Sequence, residues 1–120
     1  MNVLFDGAVR HTAGYRDVDP SAVHAALGSV RIIDVREPHE LVGELGHIAG
    51  AELVPLATLE AASRNWDKDR EIVIVCRSGG RSARAAAFLA AMRFEHVMNM
   101  AGGMLAWNAA MLPVSRATTS

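Results

Sequence analysis

The residues best suited to chemistry lie together in residues 76–82, which read CRSGGRS. They follow the apolar, β-branched run of residues 72–75 and precede an alanine-rich stretch typical of a helix. Two adjacent glycines allow the backbone to curl with its N–H groups inward, and the N-terminus of the next helix adds partial positive charge. The same surroundings favour a thiolate on Cys76. This segment therefore predicts an anion-binding loop built around a nucleophilic cysteine.

The charge around this cysteine differs from that of the whole chain. With 12 basic and 13 acidic residues the net charge is −1, which gives no reason to expect broad binding to nucleic acid or to an anionic membrane. Residues 72–94, however, contain four arginines and no acidic residue. In the alternative reading, Cys76 is only a small buried apolar residue and the arginines form a solvated helix face. That reading leaves the paired glycines unexplained.

Composition indicates one compact domain. The 120 residues are 51% apolar and 21% charged, which fits a single hydrophobic core and excludes a disordered or fibrous chain. The single cysteine excludes an intrachain disulfide and a zinc site of several cysteines. Residues 1–10 lack the pattern of a signal peptide, and no apolar stretch is long enough to span a membrane. We therefore expect a cytoplasmic protein with a free thiol.

Short apolar runs alternate with helical patterns along most of the chain. Strands are predicted over 30–35, 51–56, 72–75 and 96–98, and helices after Asp19, after Glu37, over 57–64, over 81–93 and after Gly103. This alternation predicts an α/β domain with a mostly parallel sheet, in which ligands bind beyond the carboxyl ends of strands. The domain is expected to occupy residues 14–114, with residues 1–13 and 115–120 as short terminal extensions.

The loop CRSGGRS resembles the active-site loop of single-domain rhodaneses, the thiosulfate sulfurtransferase family. Three other segments match that family in the expected order: residues 33–37 (IDVRE), residues 46–51 (GHIAGA) and residues 101–104 (AGGM) with Trp107. The match runs from about Val18 to Pro113. The resemblance implies a rhodanese-like domain of three layers, with a central sheet of about five strands flanked by helices.

The resemblance also implies a double-displacement reaction that needs no cofactor. The thiolate of Cys76, the catalytic residue, would take the outer sulfur of thiosulfate, and the resulting persulfide would pass its sulfane sulfur to cyanide or a thiol. Relatives that prefer 3-mercaptopyruvate tend to have a glycine after the cysteine and a threonine near the end of the loop. This loop has arginine in both places, which favours thiosulfate. The implied substrate-binding residues are Arg77, Ser78, Gly79, Gly80, Arg81 and Ser82.

Charged residues outside the loop are expected to support it or to remain solvated. Asp34 and Arg36 lie near the end of a strand and are expected to form a structural pair that braces the loop, with a direct chemical role as the lesser alternative. Glu40 and Glu44 are expected to be solvated, because paired carboxylates would repel an anionic donor. His47 is assigned to a turn. The other histidines show no ligand spacing, so no metal site is predicted.

Three further functions remain open at this point. A protein tyrosine phosphatase also places a cysteine among backbone amides, but its cysteine and arginine are one residue further apart than Cys76 and Arg81. A sulfur-relay protein would use the same persulfide and exchange sulfur with a protein donor or acceptor. A non-catalytic module would often lack the cysteine. The expected partners are a small anionic sulfur donor and a thiol or cyanide acceptor, with neither nucleic acid nor membrane.

Overall fold

A six-stranded sheet forms the centre of the structure, a computed structural model that describes residues 2–117. In chain order the strands are β1 (Val9–Arg10), β2 (Arg16–Val18), β3 (Arg31–Asp34), β4 (Glu52–Leu53), β5 (Ile72–Val75) and β6 (Val97–Met100). Only β1 runs antiparallel to its neighbour, and the strands lie in the order β1-β2-β6-β5-β3-β4. The predicted α/β fold with a mostly parallel sheet is confirmed, although the sheet has six strands and not about five.

The helices are α1 (Val3–Asp6), α2 (Pro20–Ala25), α3 (Pro38–Leu41), α4 (Leu59–Ala62), α5 (Gly80–Ala91) and α6 (Gly103–Ala109), with 3₁₀ turns at Leu56–Thr58 and Ser63–Asn65. Helices α2 and α3 begin where local signals in the sequence place them. Asp19 caps α2 by accepting a hydrogen bond of 2.9 Å from the backbone N–H of Ala22, and Glu37 and Glu40 form a capping box at the start of α3. The helix predicted over 57–64 is instead a short α-helix between two 3₁₀ turns. Within residues 2–117 no helix is long and apolar enough to cross a membrane.

Alternation along the buried strands divides the core between the two faces of the sheet. On β5, Val73 and Val75 pack on the face that α2 and α6 cover, whereas Ile72 and Ile74 pack on the face that α4 and α5 cover. Cys76 continues this alternation and packs on the α5 face. The helices thus form a layer on each side of the sheet, and the same pattern that builds the core aims the cysteine at α5.

Residues on both sides of the predicted domain boundaries pack against the domain. Residues 3–10, inside the predicted extension 1–13, form α1 and β1, which are too short to leave a periodic pattern in the sequence. The carboxylate of Glu71 holds α1 in place by accepting a 2.7 Å hydrogen bond from the backbone N–H of Phe5. Ser115 pairs with His47 through two backbone hydrogen bonds of 2.8 Å. The boundaries 14–114 remain a prediction, and residues 118–120 lie outside the described residues.

Candidate active site

The CRSGGRS loop begins at the carboxyl end of β5, in the middle of the sheet. Cys76 is only 1% exposed. Its sulfur accepts hydrogen bonds from the backbone N–H of Gly79, at 3.1 Å, and from the hydroxyl of Ser82, at 3.2 Å. The backbone N–H groups of Ser78 and Ser82 also face the sulfur closely enough to lower the pKa of Cys76. The loop therefore surrounds the thiol with hydrogen-bond donors.

The start of α6 gives the loop its shape. The backbone N–H of Met104 donates to the carbonyl oxygen of Cys76 at 2.9 Å, and that of Leu105 donates to the carbonyl oxygen of Arg77 at 3.0 Å. These bonds hold the two carbonyls towards α6 and leave N–H groups of the loop to face the sulfur. Gly103 permits the approach, because a Cβ there would lie 2.5 Å from the carbonyl oxygen of Cys76. Gly103 lies in the segment AGGM that resembles the family, but the sequence did not predict this role for it.

Burial and hydrogen bonding act in opposite directions on the pKa of Cys76. Burial raises this pKa, because the thiolate loses its contact with water. Hydrogen bonds from the side chain and backbone of Ser82, and from the backbone N–H groups of Gly79 and Ser78, lower it. Together the hydrogen bonds outweigh burial, and the pKa lies below the ordinary value for a thiol. The site thus favours the nucleophilic form of cysteine.

A carboxylate holds Arg81, a contact that was not predicted from the sequence. The two terminal nitrogens of Arg81 donate to the carboxylate oxygens of Glu40 at 2.9 and 2.8 Å. Mainly through these hydrogen bonds, the guanidinium lowers the pKa of Glu40 to about 2. The prediction that Glu40 is solvated was wrong, because α3 brings its side chain, 20% exposed, against the loop. Glu44 is exposed, as expected.

Asp34 and Arg36 form a buried ion pair near the loop, and each side chain is 1% exposed. Arg36 donates to the Asp34 carboxylate through Nε, at 2.9 Å, and through one terminal nitrogen, at 2.8 Å. It also donates to the carbonyl oxygens of Gly46, at 2.8 Å, and of Glu40, at 3.4 Å. The pair therefore ties the end of β3 to the segment that presents Glu40 to Arg81, and these hydrogen bonds do not reach the sulfur.

A second set of contacts leads from the sulfur across the sheet to β2. The hydroxyl oxygen of Ser82 lies 2.5 Å from Oδ1 of Asn99, and Nδ2 of Asn99 donates to Oδ1 of Asp17 at 3.1 Å. The strand register places Asn99 beside Asp17 on one side and beside Ile74 on the other. Sequence reasoning missed both polar residues. The available signal was Asn99 itself, a polar residue within the buried strand β6.

Arg77 is the exposed cation of the loop. Among residues 2–117, no ion pair engages its side chain. It lines a cleft of about 300 Å³ beside the loop, so a small anion can reach it from solvent. The other residues around this cleft are Arg36, His39, Glu40, Gly43, Glu44, Leu45 and Leu105.

The histidines and acidic residues do not gather into a ligand set. In the part of the chain that the structure describes, no group of three or more His, Cys, Asp or Glu side chains could hold a metal ion. Nδ1 of His47 lies 2.9 Å from the carbonyl oxygen of Leu41, and the residue is 3% exposed. This contact suits the turn role predicted for His47.

Together, the fold and the loop define a class of protein. A parallel α/β domain with a cysteine among backbone amides, at the carboxyl end of its central strand, has the arrangement of a cysteine-dependent group-transfer domain. The family model described as "Rhodanese-like domain" matches residues 19–110. The chain therefore belongs to the rhodanese-like family, which confirms the resemblance found in the sequence.

Several relatives of this chain are named for sulfur chemistry. A sulfurtransferase from Allochromatium vinosum is 36% identical over 71% of this chain and 78% of that protein. The thiosulfate sulfurtransferase GlpE of Pseudoalteromonas translucida is 38% identical over 68% of this chain and 75% of that protein. A Bacillus subtilis protein described as "Putative sulfur carrier protein YrkF" is 38% identical over 66% of this chain and 42% of that protein. These similarities support a place for the chain among the sulfurtransferases of the rhodanese-like family.

Solved structures agree with this family. The structure of a rhodanese-related protein from Thermoplasma volcanium has a TM-score of 0.78 and 27% identity, and the match covers 86% of this chain and all (100%) of that one. Some relatives are longer than the matched domain. The chain spans 46% and 64% of two uncharacterised relatives from Synechocystis and Bacillus subtilis.

Proposed function

We propose that this protein is a sulfurtransferase that moves a sulfane sulfur from thiosulfate to cyanide or a thiol through a persulfide on Cys76. The observation that carries the proposal is the setting of the Cys76 sulfur, which accepts hydrogen bonds from the N–H of Gly79 and the hydroxyl of Ser82. Such donors stabilise an anionic sulfur. The reaction draws on no cofactor and needs a free thiol, so a reducing cytoplasm is the proposed location.

In the first step, the thiolate of Cys76 attacks the outer sulfur of thiosulfate. A new S–S bond forms while the S–S bond of thiosulfate breaks, and sulfite leaves with the electron pair of the broken bond. The negative charge then resides on the outer sulfur of the persulfide. Backbone N–H groups between Arg77 and Ser82 stabilise that charge as an oxyanion hole stabilises a developing oxyanion.

In the second step, cyanide or a thiolate attacks the outer sulfur of the persulfide. The bond to the acceptor forms, the persulfide S–S bond breaks, and Cys76 leaves as the thiolate that began the cycle. Because Cys76 is the only cysteine, no other thiol in the chain can attack the persulfide and discharge it as an internal disulfide. The intermediate therefore waits for an external acceptor.

Arg77 and Arg81 take different parts in binding the doubly negative donor. Arg77 is exposed beside the cleft, so its guanidinium is free to meet the donor directly. Both terminal nitrogens of Arg81 are already engaged by Glu40, so Arg81 chiefly holds the loop in shape. The proposed substrate-binding set still comprises Arg77, Ser78, Gly79, Gly80, Arg81 and Ser82, with Asp34 and Arg36 as supporting residues.

Mass spectrometry of the intact protein tests this proposal. Incubation with thiosulfate should add the mass of one sulfur atom to the wild-type protein, and a thiol or cyanide should remove it. Cys76→Ser should gain no sulfur, whereas Arg64→Ala, a change at an exposed residue outside the site, should behave as the wild type does. A wild-type protein that gains no sulfur, or a Cys76→Ser variant that still does, would contradict the proposal.

A sulfur relay is the second candidate, and the similarity to YrkF favours it. In a relay the same persulfide on Cys76 would exchange sulfur with a protein and not with a small molecule. The discriminating measurement is the rate of persulfide formation from thiosulfate beside the rate from a protein persulfide donor. Faster loading from the protein donor by at least an order of magnitude would support the relay.

A further inference from the structure

The contacts around Ser82 fix the orientation of the Asn99 side chain. The carboxylate of Asp17 can only accept hydrogen bonds, so the atom of Asn99 that faces it must be Nδ2. The acceptor Oδ1 of Asn99 then faces the hydroxyl of Ser82, 2.5 Å away. Ser82 is 0% exposed and Asn99 6% exposed, so neither group has ready access to water as a substitute partner.

Ser82 has one hydroxyl hydrogen and two neighbours that compete for it. The hydroxyl oxygen lies 3.2 Å from the sulfur and 2.5 Å from Oδ1 of Asn99, and the hydroxyl can donate to either. When Cys76 is a neutral thiol, the first contact can reverse, because the S–H can donate to the oxygen of Ser82 and leave the hydroxyl hydrogen for Asn99. When the sulfur is an anion, it attracts the hydrogen of Ser82 more strongly than the neutral Oδ1 of Asn99 does, and Oδ1 then loses its donor. Forming the anion therefore costs the hydrogen bond between Ser82 and Asn99.

We propose that Asn99, oriented by Asp17, is a positioning residue that holds the hydroxyl hydrogen of Ser82 away from the sulfur until the sulfur becomes an anion. Asn99 does not touch the reacting atoms. It acts on Cys76 through Ser82 alone, and it partly opposes the stabilisation of the thiolate by the loop amides. The row Asp17, Asn99 and Ser82 thus sets how readily Cys76 becomes a nucleophile.

Other charged groups lie near Cys76, and the test must leave them unchanged. The loop and α5 contribute Arg77 and Arg81, α3 contributes Glu40 against Arg81, β3 and the residues after it contribute the Asp34–Arg36 pair, and β2 contributes Asp17. Substitution of Asn99 removes no charge. A change in the titration of Cys76 in such a variant therefore reports the hydrogen-bond row and not a lost charge.

The ultraviolet absorbance of the thiolate measures this effect directly on the whole protein. Cys76 is the only cysteine, and the Cys76→Ser variant supplies the background, including that of the single tyrosine. Burial, with a smaller effect of Asp17, raises the pKa of Tyr15, which separates its titration from that of the thiol. We expect Asn99→Leu to increase the ratio of thiolate to thiol about fivefold at a given pH, the effect of one neutral hydrogen bond.

Two further variants show whether the effect passes through Ser82. Ser82→Ala should lower the thiolate ratio about tenfold, because a hydrogen bond to a charged sulfur is lost. The double variant Ser82→Ala/Asn99→Leu should then titrate as Ser82→Ala does, since no hydroxyl remains for Asn99 to direct. Asn108→Leu is the matched control, because the amide of Asn108 donates to the carbonyls of Leu45 and Met104 and should leave the titration unchanged.

Definite results would overturn the inference. An Asn99→Leu variant that folds and titrates as the wild type does, or at higher pH, contradicts it, as does an equal shift with and without Ser82. If Asn99→Leu fails to fold, Asp17→Ala replaces it, because Asn99 is then free to turn its amide. The shift in the titration of Cys76 caused by Asp17→Ala should be larger with Ser82 present than in the Ser82→Ala background. Equal shifts would show that the effect comes only from the lost charge of Asp17.

The inference concerns the same thiol as the proposed sulfurtransferase activity and deepens that proposal. The titration uses no thiosulfate, so the two can fail separately. Expected titrations without any gain of sulfur would reject the transferase and leave the role of Asn99 intact. Sulfur gain with an unchanged titration in Asn99→Leu would reject the role of Asn99 and leave the proposed transferase activity intact.

Discussion

Two sets of polar contacts flank the CRSGGRS loop, and they differ in chemistry. On the β3 side, Asp34, Arg36, Glu40 and Arg81 form ion pairs that end on the loop's second arginine. On the β6 side, Asp17, Asn99 and Ser82 form a row of hydrogen bonds that ends on the sulfur of Cys76. The ionic side holds the loop in place, whereas the hydrogen-bonded side contacts the sulfur of Cys76.

The difference has a physical basis. Ion pairs with several hydrogen bonds hold groups in a defined geometry, but a charge directly beside the sulfur would change its ionisation strongly. Ser82 and Asn99 are neutral, and their hydroxyl and amide groups influence the sulfur by the direction of one hydrogen. We therefore expect the position of the loop and the reactivity of Cys76 to be controlled from opposite sides of the loop.

The largest expected effect on stability comes from breaking the buried ion pair on the β3 side of the loop. Arg36→Ala leaves the Asp34 carboxylate buried without its partner, which should lower the free energy of unfolding by about 3–5 kcal/mol in urea denaturation. The matched control is Arg31→Ala, whose partner Glu52 has a side chain that is 48% exposed. That change also removes the stacking of the Arg31 guanidinium on the Trp66 ring, and should cost about 1–2 kcal/mol. Equal losses in the two variants would show that Asp34 and Arg36 do not brace the fold.

An intermediate effect is expected from Glu40→Gln, measured as stability against pH. In the wild type, the pKa of Glu40 falls from an ordinary 4.5 to about 2, so between these values the folded protein binds fewer protons than the unfolded chain. The contribution of the Arg81–Glu40 pair is therefore present above about pH 4.5 and is lost as the pH falls towards about 2.

Glu40→Gln should remove about 1 kcal/mol of stability at neutral pH, because the pair is partly exposed, and should flatten the acid side of the profile. Glu44→Gln is the control, since the side chain of Glu44 is exposed and forms no ion pair among residues 2–117. A Glu40→Gln profile that keeps the full wild-type slope below pH 4.5 would assign that slope to other carboxylates.

The smallest effect on stability is expected from Arg77→Ala, because Arg77 belongs neither to the ion pairs nor to the row of hydrogen bonds. Stability should change by no more than about 0.5 kcal/mol, because the side chain is exposed. The KM for thiosulfate should rise about fivefold, the value of an exposed charge contact near 1 kcal/mol, and the rise should shrink at high salt. Arg64→Ala should change neither quantity. A KM for thiosulfate that is unchanged in Arg77→Ala would move donor binding to another residue.

Local features of this chain were predictable from the sequence. Strand β5, the loop and α5 are contiguous, so one stretch of sequence contains the buried run, the glycines and the helix that follows. The cap of α2 at Asp19 was likewise visible, because Ser, Thr, Asp or Asn before a proline marks a helix start. Patterns over a few residues suffice where the interaction itself spans a few residues.

The contacts that cross the domain were not predictable in this way. Glu40 lies 41 residues before Arg81, and Asp17 lies 82 residues before Asn99. These pairs depend on strand order and on how α3 packs beside the loop, which no periodic pattern encodes. The lack of acidic residues in 72–94 was misleading for the same reason, because the acidic partner of Arg81 comes from another part of the chain.

Gly103 extends the candidate active site to a residue 27 positions after the cysteine. Its backbone has a φ of 57°, and its missing side chain leaves room for the carbonyls of Cys76 and Arg77. Any side chain at this position would collide with the two carbonyl groups that α6 holds. The start of α6 thus sets the conformation of the loop, and it can do so because position 103 has no side chain.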